Sequence, residues 1–408
     1  PNILMLNDLT AEHSTCAMFG LIIQAYAPSM DVYWEQFKTP FLCFAGFSGV
    51  GKTTLLEKLT KRFAEEDIRV GYYKHDSHRF KMDKTGKDTA RVREAGAGIV
   101  AINDPTHFGV LADNDFKQLT ITHALERCDC ILIEGYKQSP FNKVVFLDGT
   151  GKLPIRADSK GICAIVHQGA GTLEQFVEQG IPIFHRDEIK KIFDFVNGHF
   201  KKSASELYGA VFVGGESKRM GKPKFSLNYD GITGTEKAVK LVSKFCNKVF
   251  LSSRADLDMG SLTKINNVER INDEHIQLGP VGGLATLMGR FPDKAWMITA
   301  CDMPFLKEDD FETIFQKRDP LRYGTCYVQK GRFGYEPMCA IYEPKFIVPL
   351  FEAMSRRELS LSRIIEALPF KKLKIDEADR SKFMNINTTE DYEKRHKRII
   401  LYQKKEPS

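Results

Sequence analysis

The sequence predicts an α/β protein with two domains, and three observations carry that prediction. At 408 residues the chain exceeds the usual size of one domain, and its 42% hydrophobic and 27% charged residues are ordinary for a globular protein. Apolar runs of strand length alternate with helical stretches, as in a doubly wound parallel sheet. Two of these runs open directly into glycine-rich loops that carry cations, one in each half of the chain.

Composition narrows the class of protein. A net charge of +6 over this length is mild, so it favours small anionic substrates and gives little support to nucleic acid or a membrane as partner. The nine cysteines are scattered, and Cys128 and Cys130 have no second pair at zinc-site spacing. The apolar run Cys16–Ala27 is too short to span a bilayer and follows the acids Asp8 and Glu12. We therefore expect a reduced, cytoplasmic protein with neither signal peptide nor membrane anchor.

Residues 1–39 carry no motif and form an extension of unknown role. Their apolar residues between Met18 and Tyr33 fit either an amphipathic helix or a surface that packs on a neighbour.

The first glycine-rich loop follows the apolar run Phe41–Ala45 and leads into a helical stretch at 55–63. Its spacing, Gly-x-x-x-x-Gly-Lys-[Ser/Thr] between strand and helix, is that of a P-loop and predicts a P-loop NTPase-like domain. Backbone amides and the helix N-terminus would hold the phosphates, Lys52 would reach the outer ones, and Thr53 would face Mg²⁺. The predicted phosphate-binding residues are Gly46, Ser48, Gly49, Gly51, Lys52, Thr53 and Thr54.

Two further groups complete the predicted first site. Glu134 ends a buried strand, the usual place for a carboxylate that holds Mg²⁺ opposite a P-loop, although a solvated strand-end acid is the simpler alternative. His75 and His78 flank Asp76, but no third metal ligand is evident, so a substrate or phosphate contact is the preferred interpretation. More strands are expected at 70–73, 143–147, 162–166 and 181–184, helices at 173–178 and 187–195, and a polar linker within 197–206.

The strings at 46–54, 74–75, 83–88 with 91–97, and 134–137 together resemble the adaptor protein of molybdopterin-guanine dinucleotide biosynthesis, over residues 40–198. The resemblance implies a GTP-binding P-loop protein, often dimeric, that assists a guanylyltransferase. One departure is that Asn142-Lys143 continues with Val-Val, so the Asn-Lys-x-Asp motif that reads guanine is missing. Guanine preference in this half therefore rests on the resemblance alone.

The second half opens with its own strand and loop. The apolar run Tyr208–Val213 leads to Gly214 and Gly215, whose amides are unobstructed, and the loop then adds Arg219 and Lys224. A forked guanidinium and a mobile ammonium are the two kinds of cation that bind phosphate oxygens, so the loop predicts a triphosphate site. The alternative is a glycine-rich turn with solvated charges.

Later residues would complete this second site. A strand at 296–300 delivers Asp302 to its carboxyl end, where ligands of open α/β sheets bind, and this makes Asp302 the best metal ligand of the domain. A helix cap at Asp302 is the alternative. Asp273 could reach a base or ribose, and Gly279 opens a helix whose glycines would allow close approach to a nucleotide. Asn385 and Asn387 lie on one side of an extended segment, although helix capping could explain their neighbours.

Residues 212–224 resemble the signature of the nucleotidyltransferases, and with the later strings the resemblance extends to the molybdenum cofactor guanylyltransferase over residues 206–395. It implies a Rossmann-like nucleotidyltransferase domain. The implied roles are GTP binding for Gly214, Gly215, Lys224, Asp273 and Gly279, Mg²⁺ binding for Asp302, and contact with the pterin for Asn385 and Asn387. Ser217 and Gly221 of the same signature count with the nucleotide-binding residues.

The two resemblances together imply a fusion that transfers GMP from GTP to molybdopterin and releases pyrophosphate, with Lys224, Arg219 and Asp302 as catalytic residues. Mg²⁺ and GTP would be its cofactors. Its partners would be molybdopterin or molybdenum cofactor, molybdoenzymes or their chaperones, and a second copy through the adaptor domain. A cytidylyl or sugar nucleotidylyltransferase and a non-catalytic GTP-binding scaffold are the alternatives. We expect separable domains at 40–198 and 207–395, a linker at 199–206 and a tail at 396–408.

Overall fold

The computed structural model describes residues 39–75, 88–103, 105, 107–112, 125, 127–156, 159–169, 174–202, 204–214, 227–229, 231–257, 268–275, 277–329, 334–386 and 390. These residues fall into two compact units. The smaller holds residues 88–112, and the larger holds 39–75 with 125–390. Within the described ranges, no helix combines the length and the apolar character that crossing a bilayer requires.

The first half is built around a parallel sheet. Its elements are β1 (Phe41–Ala45), α1 (Lys52–Glu65), β2 (Val70–Lys74), α2 (Asp88–Glu94), β3 (Ile99–Asn103), β4 (Phe108–Ala112), β5 (Cys130–Glu134), β6 (Lys143–Phe146), β7 (Ile162–His167), α3 (Glu174–Glu178), β8 (Ile183–His185) and α4 (Ile189–Lys202). The sheet order is β2-β5-β1-β6-β7-β8, with every neighbouring pair parallel. This confirms the predicted doubly wound sheet. The smaller unit holds α2 and the antiparallel pair β3 and β4. This strand pair was not predicted from the sequence.

Helices α1 and α4 cover the sheet through matching apolar faces. The residues buried on α1 recur at helical spacing, and so do those on α4, where Phe63 meets Phe193 with ring centroids 4.7 Å apart. Val196 and Phe200 continue the stripe of α4 beyond the predicted end at residue 195. The helix therefore occupies much of the predicted linker, and only residues 203–206 separate it from the next strand.

The second half has a mixed seven-stranded sheet. Its elements are β9 (Leu207–Phe212), β10 (Asn228–Tyr229), β11 (Ile232–Thr233), α5 (Gly234–Val242), β12 (Val249–Ser253), β13 (Val268–Asn272), α6 (Gly279–Arg290), β14 (Ala295–Ala300), α7 (Glu308–Gln316), β15 (Gly324–Val328), β16 (Tyr335–Tyr342), α8 (Ile347–Ser355), α9 (Leu361–Glu366) and β17 (Lys371–Lys374), with 3-10 helices at Pro344–Phe346 and Glu377–Phe383. The sheet order is β13-β12-β9-β14-β16-β15-β17. Strands β13 to β14 are parallel, whereas β16 runs antiparallel to both its neighbours. An apolar core lies on each face of this sheet.

A buried ion pair joins the two halves within the larger unit. Asp129, just before β5, is 0% exposed, and its Oδ1 lies 2.9 Å from Nζ of Lys345, which is 4% exposed. The second oxygen of Asp129 accepts the backbone N–H of Arg69 at 2.8 Å, and Lys345 also donates to the carbonyl of Leu321. Leu321 belongs by sequence to the second half but packs in the core of the first.

Two further contacts flank this pair. Arg322 donates to the carbonyl of Glu66 at 2.7 Å and to that of Asp67, at the turn after α1 where Asp67 has φ 56°. On the exposed rim, Arg127 pairs with Glu352 at 2.6 Å. The halves that the sequence predicts to be separable thus share a desolvated ionic contact.

Candidate functional sites

The P-loop wraps the N-terminus of α1 because its glycines adopt positive φ angles that other residues rarely adopt. Gly49 and Gly51 have φ of 79° and 88°, and α1 begins directly after Gly51. At Gly46 an added Cβ would come within 2.9 Å of the Cβ of Phe146, so the loop passes close against β6. Ser48, Gly49 and Thr54 are exposed, which leaves this surface open to a phosphate chain.

Polar side chains converge at the start of α1. The Nζ of Lys52 donates to the carbonyl of Phe47 at 2.7 Å and lies 3.9 Å from Oε1 of Glu134. The other oxygen of Glu134 accepts from Thr53 Oγ1 and from Tyr72 OH, each at 2.9 Å. Burial lowers the pKa of Lys52 although Glu134 opposes the shift, and burial together with the Glu134 contact raises the pKa of Tyr72 to about 12.

This donor set suits a hard cation. A threonine hydroxyl and a carboxylate at hydrogen-bond distance supply the oxygen ligands that Mg²⁺ prefers. Glu134 is 7% exposed and bonded to two hydroxyls, so the structure does not support the alternative of a merely solvated acid. Thr53 and Glu134 would therefore hold the ion.

His75 borders the same site. Its backbone N–H donates to the carbonyl of Glu134 at 2.9 Å, and its ring stacks on Tyr136 with centroids 4.6 Å apart. Gly135 has φ 126° and passes so close to His75 that an added Cβ would come within 2.9 Å of its carbonyl. Asp76 and His78 lie outside the described residues, and the described part of the chain contains no group of three metal-ligating side chains.

In the second half, the carboxyl ends of β9 and β14 bring two predicted site residues to one edge. Phe212 pairs with Ala300, so Gly214 and Asp302 each stand two residues beyond that pair. Gly214 is exposed, with nothing within 4 Å of an added Cβ. The predicted residues Gly215, Ser217, Arg219, Gly221 and Lys224 lie outside the described residues.

The segment after the 3-10 helix Glu377–Phe383 returns to this edge. The backbone N–H of Ile386 donates to the carbonyl of Asp302 at 2.9 Å, and the Ile386 side chain is fully buried. Asn385 is exposed and precedes the residue that makes this backbone contact. Asn387 lies outside the described residues.

Asp273 directly follows β13, which lies two places from β9 in the sheet. Its Oδ1 accepts from Ser252 Oγ at 2.6 Å, and burial raises the pKa of Asp273 although this hydrogen bond opposes the shift. Gly279 is exposed with φ 59° and has open space around it. The next glycines of α6 behave differently, because a Cβ at Gly282 would lie 2.3 Å from the His275 carbonyl. Gly282 thus serves helix packing, whereas the approach of Gly279 to a nucleotide stays a prediction.

Sequence reasoning missed two residues near these sites. Tyr72 holds Glu134 through its hydroxyl, and the only signal was its position on a strand beside that acid. Glu336 is the second residue of β16, which runs antiparallel beside the end of β14. Its carboxylate accepts a hydrogen bond from Gln329 Nε2, and the Oε1 of Gln329 accepts one from Arg380. Burial raises the pKa of Glu336 to about 7. The only sequence signal for Glu336 was its position as an acid in an otherwise apolar strand.

Comparison with known proteins assigns each half. Residues 41–168 match the family described as Molybdopterin guanine dinucleotide synthesis protein B, and residues 209–372 match the MobA-like NTP transferase domain.

Individual relatives each match over half of this chain or less. A Molybdenum cofactor biosynthesis bifunctional protein from Synechocystis sp. is 29% identical over 202 residues, which cover 50% of this chain and 57% of that protein. A Probable molybdopterin-guanine dinucleotide biosynthesis adapter protein from Bacillus subtilis is 31% identical over 40% of this chain and 94% of its own length. A Probable molybdenum cofactor guanylyltransferase from Opitutus terrae is 28% identical over 48% of this chain and 98% of its own length.

In the first half, the P-loop and the acid bonded to it, Glu134, lie within the residues that match the adaptor family. In the second half, Asp302 lies within the residues that match the transferase domain. The chain belongs to the family of molybdopterin-guanine dinucleotide biosynthesis adapter proteins, and it carries a MobA-like NTP transferase domain in its second half.

Proposed function

We propose that this chain transfers GMP from GTP to molybdopterin, giving molybdopterin guanine dinucleotide and pyrophosphate, with its P-loop half as a fused GTP-binding adaptor. Both family matches and the guanylyltransferase relative support this reaction. The observation that carries it is the junction of Asp302 with the segment at Asn385, since one edge of the sheet then offers a carboxylate for a phosphate-bound cation and an amide for the acceptor.

The spacing of the strands suits a nucleotide laid across the sheet. Asp273 and Asp302 follow strands that are three places apart, which corresponds to about 14 Å at the usual strand spacing. The nucleoside would lie toward Asp273 and Gly279, and the phosphates toward Gly214 and Asp302. The glycine-rich loop with Arg219 and Lys224 would then offset charge on the triphosphate.

The reaction requires the protein to align the two reactants and to neutralise charge on the phosphates. An oxygen of the molybdopterin phosphate bonds to the α-phosphorus of GTP, the bond from that phosphorus to the α,β-bridging oxygen breaks, and pyrophosphate leaves. The nucleophile is already ionised, so no general base is needed. Asn385 and Asn387 would orient the acceptor, and Asp302 would hold Mg²⁺, which when bound neutralises charge on the departing pyrophosphate.

The first half would bind a second nucleotide. Lys52, Thr53 and Glu134 support phosphate and Mg²⁺ binding there. We propose that this half hands the product to molybdoenzymes or their chaperones and pairs with a second copy of the chain.

The decisive test supplies purified molybdopterin and α-labelled nucleoside triphosphates to the full chain. We expect label from GTP to enter the dinucleotide with one pyrophosphate released per transfer. Label from CTP in place of GTP would mean a cytidylyltransferase, and no transfer from either nucleotide would overturn the enzymatic assignment.

A further inference from the structure

The carboxyl ends of β7 and β8 carry a polar cluster that the predicted sites do not use. The cluster comprises His167, Gln168, His185 and Asp187, and the two histidines are cross-strand partners with ring centroids 5.4 Å apart at an angle of 82°. The backbone N–H of Arg186 donates to the His167 carbonyl at 2.9 Å and fixes the two strand ends together.

This cluster is continuous with the P-loop. Gln168 Nε2 donates at 3.2 Å to the carbonyl of Val50, a residue between Gly49 and Gly51 that is 6% exposed. A ligand on the P-loop therefore has the cluster as its neighbour.

The direction of a bound nucleotide follows from the sheet order. Glu134 lies at the end of β5, on one side of β1, and on that side the rings of His75 and Tyr136 stack on each other. The outer phosphates and cation belong beside that acid. The nucleoside is then directed to the other side, over β6, β7 and β8. At about 4.8 Å per strand, β7 and β8 lie roughly 10 and 14 Å from β1, a suitable reach for a base whose phosphates sit on the P-loop.

The apparent guanine-reading dipeptide is placed elsewhere. Asn142-Lys143 stands at the amino end of β6, the opposite edge of the sheet from the P-loop. The ammonium of Lys143 is bonded to the carbonyls of Ser139 and Lys160. This dipeptide therefore has a structural role and does not reach the nucleotide.

The chemistry of the cluster fits one kind of base. Asp187 is 69% exposed, and its oxygens lie 3.5 Å from His185 Nδ1 and 3.8 Å from Arg186 Nε, beyond strong hydrogen bonds. An ionised carboxylate only accepts hydrogen bonds, so it matches the N1–H and 2-amino edge of guanine and is repelled by the acceptor N1 of adenine. Imidazole rings such as that of His185 provide faces on which a base can stack.

We propose that His167, Gln168, His185 and Asp187, at the carboxyl ends of β7 and β8, form the base-recognition site of the P-loop nucleotide, with His167 and His185 against the guanine ring and Asp187 on its N–H edge. This inference rests on the proposed nucleotide binding of the P-loop half. It gives that half a guanine preference without an Asn-Lys-x-Asp motif.

The test measures binding of GDP, ADP and IDP to the full chain by titration calorimetry. The part of the binding heat that is lost in Lys52→Ala is assigned to the P-loop. This assignment separates nucleotide binding at the P-loop from nucleotide binding by the transferase half. We expect Asp187→Asn to weaken GDP binding at the P-loop by roughly 10- to 100-fold and to abolish the preference over ADP. IDP lacks the 2-amino group and should bind wild type less tightly than GDP. Glu57→Gln, an exposed carboxylate of α1 changed in the same way, is the matched control and should bind as wild type.

A second pair of variants tests stacking. His185→Phe keeps an aromatic face and should retain GDP affinity, whereas His185→Ala should lose GDP affinity by at least about fivefold. Equal GDP and ADP affinities in wild type, or an Asp187→Asn variant that still prefers GDP, would overturn the base site while leaving the P-loop assignment intact. If Lys52→Ala changes no part of the binding heat, the proposed nucleotide binding at the P-loop is wrong, and so is this inference.

Discussion

The ion pair between Asp129 and Lys345 predicts that the two halves unfold interdependently. In Lys345→Met the aliphatic stem is retained but the cation is lost, so Asp129 is left as a buried charge without a counter-ion. Removal of one partner of such a pair costs about 3–5 kcal/mol. Lys345 also lies 4.8 Å from the ring centroid of Tyr323 and donates to the Leu321 carbonyl, so its loss leaves that acceptor unsatisfied as well.

The exposed rim provides a matched control. Arg127 and Glu352 pair across the same boundary, but their side chains are 64% and 38% exposed. Pairs of this kind contribute about 0–1 kcal/mol, so Glu352→Gln should be nearly neutral. The double variant Asp129→Leu with Lys345→Met replaces the pair by apolar groups and should recover most of the stability lost in the single variant.

Guanidinium unfolding of the full chain, followed by circular dichroism, measures these differences. We expect the first transition of Lys345→Met to move well below that of Glu352→Gln. Equal midpoints for the two single variants would refute the view that the buried pair couples the halves. The same reasoning predicts that a fragment of residues 204–408 is less stable than its counterpart in the full chain, because Leu321 becomes exposed.

Four further predictions concern the sites. Asp302→Asn should lower guanylyl transfer by at least about 100-fold at ordinary Mg²⁺, measured as labelled dinucleotide formed, and a wild-type rate would contradict its metal role. Lys224→Ala should reduce GTP binding and turnover while the thermal midpoint stays unchanged, because a cation on a loop contributes little to stability. Lys52→Ala should remove nucleotide binding at the P-loop, seen as lost calorimetric heat. The pKa of Glu336 is about 7 in the folded protein, which is above its unfolded value, so its contribution to the stability of the fold is present at low pH and is lost as pH rises from about 4.5 through 7. The urea midpoint of wild type should therefore fall over this pH range, and the midpoint of Glu336→Gln should lack this fall.

Local pattern was enough to predict the central strands and the P-loop. An apolar run followed by glycines specifies a strand and a tight loop whatever the distant chain does, and β1 and β9 both form where predicted. Glu134 was placed beside the P-loop in the same way, as the acid that ends a buried strand, and its role in holding Mg²⁺ stays a prediction. The roles assigned to the loop residues from Gly215 to Lys224 stay predictions.

Long-range placement was not predictable. Lysine is rarely buried, and nothing beside Lys345 in the sequence indicates an acid 216 residues earlier. The packing role of Gly282 depends on the carbonyl of His275, which only the fold brings close. The end of α4 was placed too early because Val196 and Phe200 acquire their significance from Phe63, on another helix.

The distance along the chain between Asp129 and Lys345 has a consequence for synthesis. Translation at about 5–20 residues per second separates the emergence of two residues 216 positions apart by roughly 10–40 s. During that interval the first half can form its parallel sheet, but Asp129 has only the Arg69 amide to satisfy it, and the place of Leu321 in the core stays empty. We therefore expect chaperones and proteases to act on a newly made first half at the surface around Asp129 and the empty place of Leu321, until the second half covers it.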